Sequence, residues 1–282
     1  MRLFQPFDPE DFPGRKRLMQ LQQVPLRVVL PNLVTLLSLC AGLTSIRLAI
    51  ENRLELAIAF IVIAATLDGI DGRMARFLKS SSRFGAELDS IADFLNFGVA
   101  PPILLYVWAL SEMRSVGWVA VLIFGICVSL RLARFNVAIG AADKPDWHGN
   151  FFVGVPAPAG ALISMLPLYV ELVGVPHGIL TAPLTWIYTL SVGLLMVSRI
   201  PTWSGKLVGN RIKRDLVLPL FVFGVVVVSL LLSFPWLTML VLSLVYIGSL
   251  PLSLASYQRR RRAESAGQKP ADTERDSPPP SD

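Results

Sequence analysis

The sequence predicts an all-α integral membrane protein. Of its 282 residues, 53% are hydrophobic and only 16% are charged, whereas soluble domains carry about 25% charged residues. The apolar residues also occur in long blocks, which a water-soluble core does not need. We therefore expect lipid to surround much of the chain.

The apolar blocks mark eight candidate membrane helices, since a bilayer crossing takes about 20 apolar residues. Only Ser233, Phe234 and Pro235 separate the last two, so the pattern indicates eight helices, or six followed by a less distinct pair. The candidate spans are residues 31–50, 55–78, 84–110, 115–139, 157–175, 178–198, 215–234 and 236–256.

The positive charges predict the orientation of these helices. If the N-terminus lies inside, the outer segments contain only Arg47, Arg53 and Arg114 of the 26 lysines and arginines. Because basic residues are enriched in cytoplasmic loops, we expect both termini in the cytoplasm and the chain in the inner membrane. The net charge of +6 then faces the anionic membrane surface, and nucleic acid is not an expected partner.

The two terminal segments are predicted to lie outside the membrane. Residues 1–30 mix charged, proline and apolar residues and are expected to form a cytoplasmic or interfacial segment. Residues 259–282 pass from four arginines into Ser, Pro, Asp and Glu, a composition typical of a disordered tail.

Aspartates inside the second predicted helix point to a functional site. Its apolar run is too short to cross a bilayer, so the helix must continue through Asp68 and Asp71. An aspartate in a membrane helix is costly and usually faces a polar cavity. At 100° per residue, Asp68 and Asp71 share one face with the small residues Gly72 and Ala75, and Arg76 lies nearby.

The third predicted helix repeats this arrangement. Gly85, Asp89, Asp93 and Asn96 fall within roughly 80° of one another around the helix. Four carboxylates that converge from two neighbouring helices repel one another unless cations neutralise them. Carboxylate oxygens suit Mg²⁺ or Mn²⁺, and a pair of such ions binds phosphate oxygens and polarises an attacking hydroxyl.

Two further observations bear on this metal prediction. The chain has only two histidines, His148 and His177, which argues against zinc. In the alternative interpretation, the aspartates cap helices and pair with Arg73, Arg76 and Arg83. Four aspartates on two facing helical faces favour the metal site.

The spacing of these residues resembles the signature of the CDP-alcohol phosphatidyltransferase family. The pattern is Asp68-x2-Asp71-Gly72-x2-Ala75-Arg76-x8-Gly85-x3-Asp89-x3-Asp93. The resemblance implies a catalytic core of six membrane helices over residues 31–200. The two additional helices over residues 215–256 lie outside that core.

Within the family, the sequence is more similar to phosphatidylserine synthases. This likeness implies transfer of a phosphatidyl group from CDP-diacylglycerol to L-serine, giving phosphatidylserine and CMP. It also implies a homodimer. The stretches that carry it are Pro31–Thr35, Arg83–Ser90, Phe97–Pro101, Arg131–Asn136 and Gly154–Ala159.

The resemblance also implies roles for individual residues. Asp68, Asp71 and Asp89 would ligate two divalent ions, and Asp93 would both ligate and act as general base. The residues expected to bind CDP-diacylglycerol are Gly72, Ala75, Arg76 and Gly85. For the carboxylate of serine, the candidates near inner helix ends are Arg134, Arg131 and Arg199, since arginine suits planar bidentate recognition.

Two alternatives remain open at the level of sequence. The acceptor is a different alcohol in one of them: glycerol 3-phosphate, inositol phosphate or choline. The other is an ion-coupled transporter that uses the carboxylates, although such proteins often contain internal repeats and none is evident here.

Overall fold

A computed structural model describes residues 26–78, 82–139, 151–198, 201–203 and 214–268. Within these ranges the chain is almost entirely helical. The α-helices are α1 Leu26–Ile50, α2 Leu54–Phe77, α3 Arg83–Asp93, α4 Ala100–Trp108, α5 Ser115–Ile139, α6 Ala157–Ser164, α7 Leu166–Leu172, α8 Thr181–Val197, α9 Arg214–Ser233 and α10 Pro235–Gln268. A π-helical turn, Phe94–Val99, joins α3 to α4, and a 3₁₀ turn, Leu110–Met113, follows α4. Two short strands, β1 Phe151–Val153 and β2 Pro201–Trp203, pair antiparallel.

The helices have the length and surface of a membrane protein, as the composition predicts. Large apolar side chains such as Leu218, Phe221 and Leu232 are exposed on α9, which is expected where lipid is the solvent. Among the described residues, four helical stretches are long and apolar enough to cross a membrane: Val29–Ile50, Phe84–Trp108, Ser115–Val137 and Pro235–Ser256. Two shorter apolar helices are Thr181–Val197 and Val217–Ser233.

The structure differs from the predicted elements in several places. Helix α1 begins at Leu26, within the segment predicted to lie outside the membrane, and the two short strands lie in an otherwise all-α prediction. The span predicted at 157–175 is two short helices that meet at Met165, because Pro167 has no N–H to continue the ladder. The predicted helix over 84–110 contains the π-helical turn. Helix α10 continues to Gln268, into the segment predicted as a tail, and residues 1–25 and 269–282 lie outside the described residues.

A row of polar side chains on α1 joins it to α2. Thr35 donates a hydrogen bond to Asp71, Ser38 to the carbonyl of Ala64, and Ser45 to the carbonyl of Ala57. The three serine and threonine side chains are at most 5% exposed. The residue numbers of the partners on α2 fall as those on α1 rise, so the two helices are antiparallel. Buried hydrogen bonds fix their register.

His177 connects the end of α7 to the 3₁₀ turn that follows α4. Its Nδ1 lies 2.8 Å from Glu171 Oε2, at the end of α7, and its Nε2 lies 3.0 Å from Glu112 Oε1, in the 3₁₀ turn. The imidazole also packs edge-on against Trp108 at a centroid distance of 5.6 Å. The hydrogen bond to Glu171 is the main cause that raises the pKa of His177 above its ordinary value.

We expect His177 to make stability depend on pH. Because the pKa of His177 is higher in the folded state, its contact with Glu171 and Glu112 stabilises the protein fully at pH values below the unfolded-state pKa of about 6.5. That stabilisation is lost as the pH rises through the pKa of His177 in the folded state. His177→Gln should therefore lower the melting temperature by roughly 2 °C at low pH and by less at pH values where the imidazole is neutral.

Thermal unfolding of the purified protein near pH 5.5 and near pH 9 measures this difference. Glu51→Gln is a matched control, since it removes the exposed Arg47–Glu51 pair, 2.7 Å long, and leaves His177 and its two partners in place. A His177→Gln deficit that is the same at both pH values contradicts the prediction.

Candidate metal centre

Helix α2 presents two aspartates towards α1 and α3. Asp71 is 3% exposed and Asp68 is partly buried. Thr35 donates its hydroxyl proton to Asp71 Oδ2 at 2.7 Å, so α1 holds one oxygen of this carboxylate in place. The other oxygen, Asp71 Oδ1, is left for a different partner.

Helix α3 begins where it can bring Asp89 and Asp93 to the same place. Ser82 is its N-cap, and Ser82 Oγ accepts a hydrogen bond from the Gly85 N–H at 3.0 Å. This cap satisfies a backbone donor at the first turn of the helix. With the start of α3 fixed in this way, Asp89 and Asp93 lie one and two turns further along.

The carboxylates of Asp68, Asp71 and Asp89 converge. One oxygen from each lies within 4.8 Å of the other two. The Asp93 carboxyl lies next to that of Asp68, close enough for the two groups to interact, and so directly beside this cluster. The structure thus brings together all four aspartates that the sequence singled out, three as a cluster and the fourth in contact with it.

The chemistry of this group fits a divalent cation. Asp71 Oδ1 and Asp93 Oδ1 are buried and have no hydrogen-bond partner in the described part of the chain. Buried carboxylate oxygens are costly unless a cation or a donor compensates them. A compact set of carboxylate oxygens is the donor set that Mg²⁺ and Mn²⁺ prefer. The site can therefore hold such an ion.

A cavity of about 150 Å³ opens beside the carboxylates. The cavity is lined by Asp71 and Asp89 and by the three small residues singled out from the sequence, Gly72, Ala75 and Gly85. Its remaining walls are residues that sequence reasoning did not assign to the site: Pro31, Asn32, Thr35, Ser82 and Ala86. In the sequence, only the family likeness of the stretch Pro31–Thr35 points to a place for it in the site.

The two glycines of the cavity have different surroundings. A Cβ at Gly85 would lie 2.8 Å from Asn32 Oδ1 and 3.1 Å from Ser82 Oγ, so the close approach of α1 requires glycine. A Cβ at Gly72 would meet nothing within 4 Å. Gly72 therefore keeps space in the cavity open, whereas Gly85 permits packing of the protein itself.

The arginines singled out from the sequence have different partners. Arg76 donates its Nε–H to the carbonyl of Gly72, at 3.0 Å, and is exposed. Arg131 donates its Nε–H to the carbonyl of Val155, at 2.7 Å, and lies close enough to Asp93 for their charges to attract.

The other two candidates for the serine carboxylate are Arg134 and Arg199. Arg134 donates from Nη1 to the carbonyl of Val197, at 2.7 Å, on an exposed part of α5. Arg199 lies outside the described residues.

Fold and site together define an α-helical, multi-pass membrane protein with a carboxylate site for a divalent cation. Residues 28–197 match the family model described as CDP-alcohol phosphatidyltransferase, and residues 215–251 match a second model, CDP-alcohol phosphatidyltransferase 2. The chain belongs to the CDP-alcohol phosphatidyltransferase family, as the spacing of its aspartates predicts.

Several similar proteins carry the name CDP-diacylglycerol–serine O-phosphatidyltransferase. That of Mycobacterium leprae (strain TN) is 47% identical over 192 residues, which cover 67% of this chain and 61% of the relative. That of Helicobacter pylori (strain ATCC 700392 / 26695) is 33% identical over 68% of this chain and 78% of the relative. That of Methanocaldococcus jannaschii is 35% identical over 64% and 77%. The match thus spans about three fifths of the length of the mycobacterial relative.

Proposed function

We propose that this protein transfers a phosphatidyl group from CDP-diacylglycerol to the hydroxyl of L-serine, giving phosphatidylserine and CMP. The observation that carries the proposal is the convergence of the Asp68, Asp71 and Asp89 carboxylates within 4.8 Å, beside a cavity between α1, α2 and α3. The names of the similar proteins, CDP-diacylglycerol–serine O-phosphatidyltransferase, support serine as the acceptor.

The cavity is where the cytidine diphosphate of the donor binds. Gly72 and Ala75 leave room for it on α2, and Gly85 lets Asn32 and Ser82 form the opposite wall. The exposed guanidinium of Arg76 lies at the same end of α2 and attracts the diphosphate. The acyl chains of the donor stay in the lipid, because the surrounding helices are apolar on their outer faces.

Asp93 acts as the general base. It takes the proton of the serine hydroxyl while that oxygen forms a bond to the β-phosphorus of the donor. The bond between the β-phosphorus and the bridging oxygen breaks, and CMP leaves with the bond's electron pair. Burial of the site keeps bulk water from competing for the phosphoryl group.

Asp68, Asp71, Asp89 and Asp93 hold two divalent ions, Mg²⁺ or Mn²⁺. When bound, these ions supply charge neutralisation for the phosphate oxygens and acidify the attacking hydroxyl. Thr35 holds Asp71 Oδ2 by its hydrogen bond, so that Asp71 Oδ1 would be available to ligate an ion. Hydrogen bonds of this kind orient metal ligands.

Arginine side chains bind the carboxylate of serine. Arg131 is the favoured residue, since its charge attracts that of Asp93 and its Nε is already fixed by the Val155 carbonyl. This leaves the two Nη groups of Arg131 for a substrate carboxylate. Arg134 and Arg199 are the further candidates for the same role.

The proposal includes the arrangement of the chain in the membrane. Eight helices cross the cytoplasmic membrane, with residues 31–200 as the catalytic core and residues 215–256 as an added pair. Both termini and the acidic site face the cytoplasm, which the distribution of Lys and Arg supports. Residues 1–30 and 259–282 are cytoplasmic, and the protein acts as a homodimer.

The acceptor is tested with purified protein, CDP-diacylglycerol and a divalent ion. We expect labelled L-serine to appear in lipid together with an equal amount of CMP. Labelled glycerol 3-phosphate, inositol phosphate and choline are the comparison acceptors, and a faster reaction with one of them assigns a different alcohol. Absence of CMP with every acceptor contradicts phosphatidyl transfer and leaves ion-coupled transport as the second candidate.

A methyl group in the cavity should weaken donor binding selectively. Gly72→Ala meets no protein atom, and alanine favours a helix more than glycine does, so the melting temperature should not fall. Because the added methyl occupies donor space, we expect the KM for CDP-diacylglycerol to rise about tenfold while the KM for serine stays the same. Steady-state kinetics with each substrate varied in turn measure both values.

Gly69→Ala is the matched control for this variant. Gly69 is on the same helix, its Cβ would also meet nothing within 4 Å, and it is exposed outside the cavity wall. Equal effects of the two substitutions on the donor KM contradict the assignment of this cavity to the donor.

A further inference from the structure

The π-helical turn Phe94–Val99 follows Asp93 directly, and two prolines that come after it disturb the helix at this point. Pro101 and Pro102 have no N–H, so they cannot donate to the carbonyls one turn earlier, and the helix widens. A wide turn changes the angular phase between the two parts of a helix. Asp89 and Asp93 can thus face α2 while the apolar side chains of α4 face the core.

Such a turn needs external support because its own hydrogen-bond ladder is irregular. Asn96, in the middle of the turn, is 1% exposed and donates its Nδ2–H to Ser38 Oγ on α1, at 2.8 Å. Ser38 in turn donates to the carbonyl of Ala64 on α2, at 2.9 Å. This chain of two bonds connects the segment after Asp93 to both helices that form the opposite side of the site.

The surroundings of Asn96 leave it little freedom. A Cβ on Gly42 would overlap Asn96 Oδ1, so α1 approaches the amide as closely as glycine allows. On the other side of the turn, a Cβ on Gly98 would lie 3.0 Å from Val128 on α5. The turn is therefore fixed between α1 and α5, and the Asn96 amide is its polar contact with α1.

We infer that Asn96, through Ser38, is a positioning residue for Asp93 and Asp89: it fixes the π-helical turn so that the two carboxylates of α3 meet those of α2. This inference rests on the proposed function in one respect: the expected change in kcat refers to the proposed reaction. The predicted effect on the geometry of the cation site does not depend on the acceptor.

Asn96→Ala, Ser38→Ala and the double variant test the inference. Each single change should lower kcat by about 10- to 100-fold with little change in the donor KM. Each should also weaken Mn²⁺ binding, measured without substrates, by about 10- to 100-fold. Because both residues act through one bond, the double variant should be no worse than the more affected single variant.

Ser45→Ala is the matched control. It removes an equally buried hydrogen bond from α1 to α2, from Ser45 Oγ to the Ala57 carbonyl at 2.8 Å, about two helical turns along α1 from Ser38. We expect a similar loss of melting temperature in this variant but wild-type kcat per folded molecule and wild-type Mn²⁺ affinity. A merely structural role of Asn96 would make all these variants alike.

The outcomes separate the inference from the proposed function. Unchanged kcat and Mn²⁺ affinity in Asn96→Ala overturn the inference, as do losses equal to those of Ser45→Ala. If the wild type does not react with serine but Asn96→Ala still binds Mn²⁺ more weakly than Ser45→Ala, the proposed acceptor fails and the positioning role stands.

Discussion

Asp93→Asn should lower the turnover of CDP-diacylglycerol and serine by about 10³-fold, since a general base contributes roughly 10² to 10⁴. The substitution keeps the size of the side chain and its place beside Asp68 but removes the basic oxygen. Membrane insertion and melting temperature should therefore be close to those of the wild type. CMP release at saturating substrates, normalised to folded protein, measures the effect.

The control for this variant is Glu87→Gln on the same helix. Glu87 is an exposed carboxylate outside the acidic cluster, so its loss should leave turnover unchanged. Wild-type turnover in Asp93→Asn removes the assignment of the base. Equal losses in both variants point to a general effect of negative charge on α3.

Asp71→Asn should lower turnover at least about 100-fold, because a metal ligand that helps stabilise phosphoryl charge supports several kcal/mol of the barrier reduction. Thr35 can still donate to the remaining carbonyl oxygen, so the buried site stays occupied by a polar group of the same shape. We further expect the residual activity to require a higher Mn²⁺ concentration than the wild type does. Rates measured over a Mn²⁺ titration give both quantities.

Glu55→Gln, at the opposite end of α2, is the comparison for Asp71→Asn. Glu55 is exposed near the start of the helix, and its removal should change neither rate nor metal dependence. An Asp71→Asn protein that needs no more Mn²⁺ than the wild type contradicts the assignment of Asp71 as a ligand.

The shared faces of the aspartates are predictable from the sequence because they follow from helix geometry. Residues three or four apart lie on one face of a helix, so Asp68 and Asp71 share a face, as do Asp89 and Asp93. Long apolar blocks identify the membrane class for a similar reason, since composition is a local property of the sequence.

Contacts between distant parts of the chain are not predictable in this way. The helical wheel assigns Asn96 to the face of Asp93, but the structure buries it against Ser38, 58 residues earlier in the chain. The sequence places Arg134 near an inner helix end, and the structure adds that it donates to the carbonyl of Val197, 63 residues away. Residue type gives the chemistry that is possible, and the tertiary partner decides which part of it is used.

The π-helical turn illustrates a third case, in which the local signal is present but ambiguous. Pro101 and Pro102 predict a disturbed helix one turn earlier. Whether the disturbance becomes a kink, a break or a wide turn depends on packing, here that of Gly98 against Val128. A single sequence contains the cause but not the result.

The central claim is that the aspartates of α2 and α3 hold divalent cations together. Titration of the purified protein with Mn²⁺, following the free ion by electron paramagnetic resonance, tests it without any substrate. We predict that the wild type removes Mn²⁺ from solution and that a variant with all four changes, Asp68→Asn, Asp71→Asn, Asp89→Asn and Asp93→Asn, does not. Equal binding by the two proteins, or no binding by the wild type, would contradict the claim.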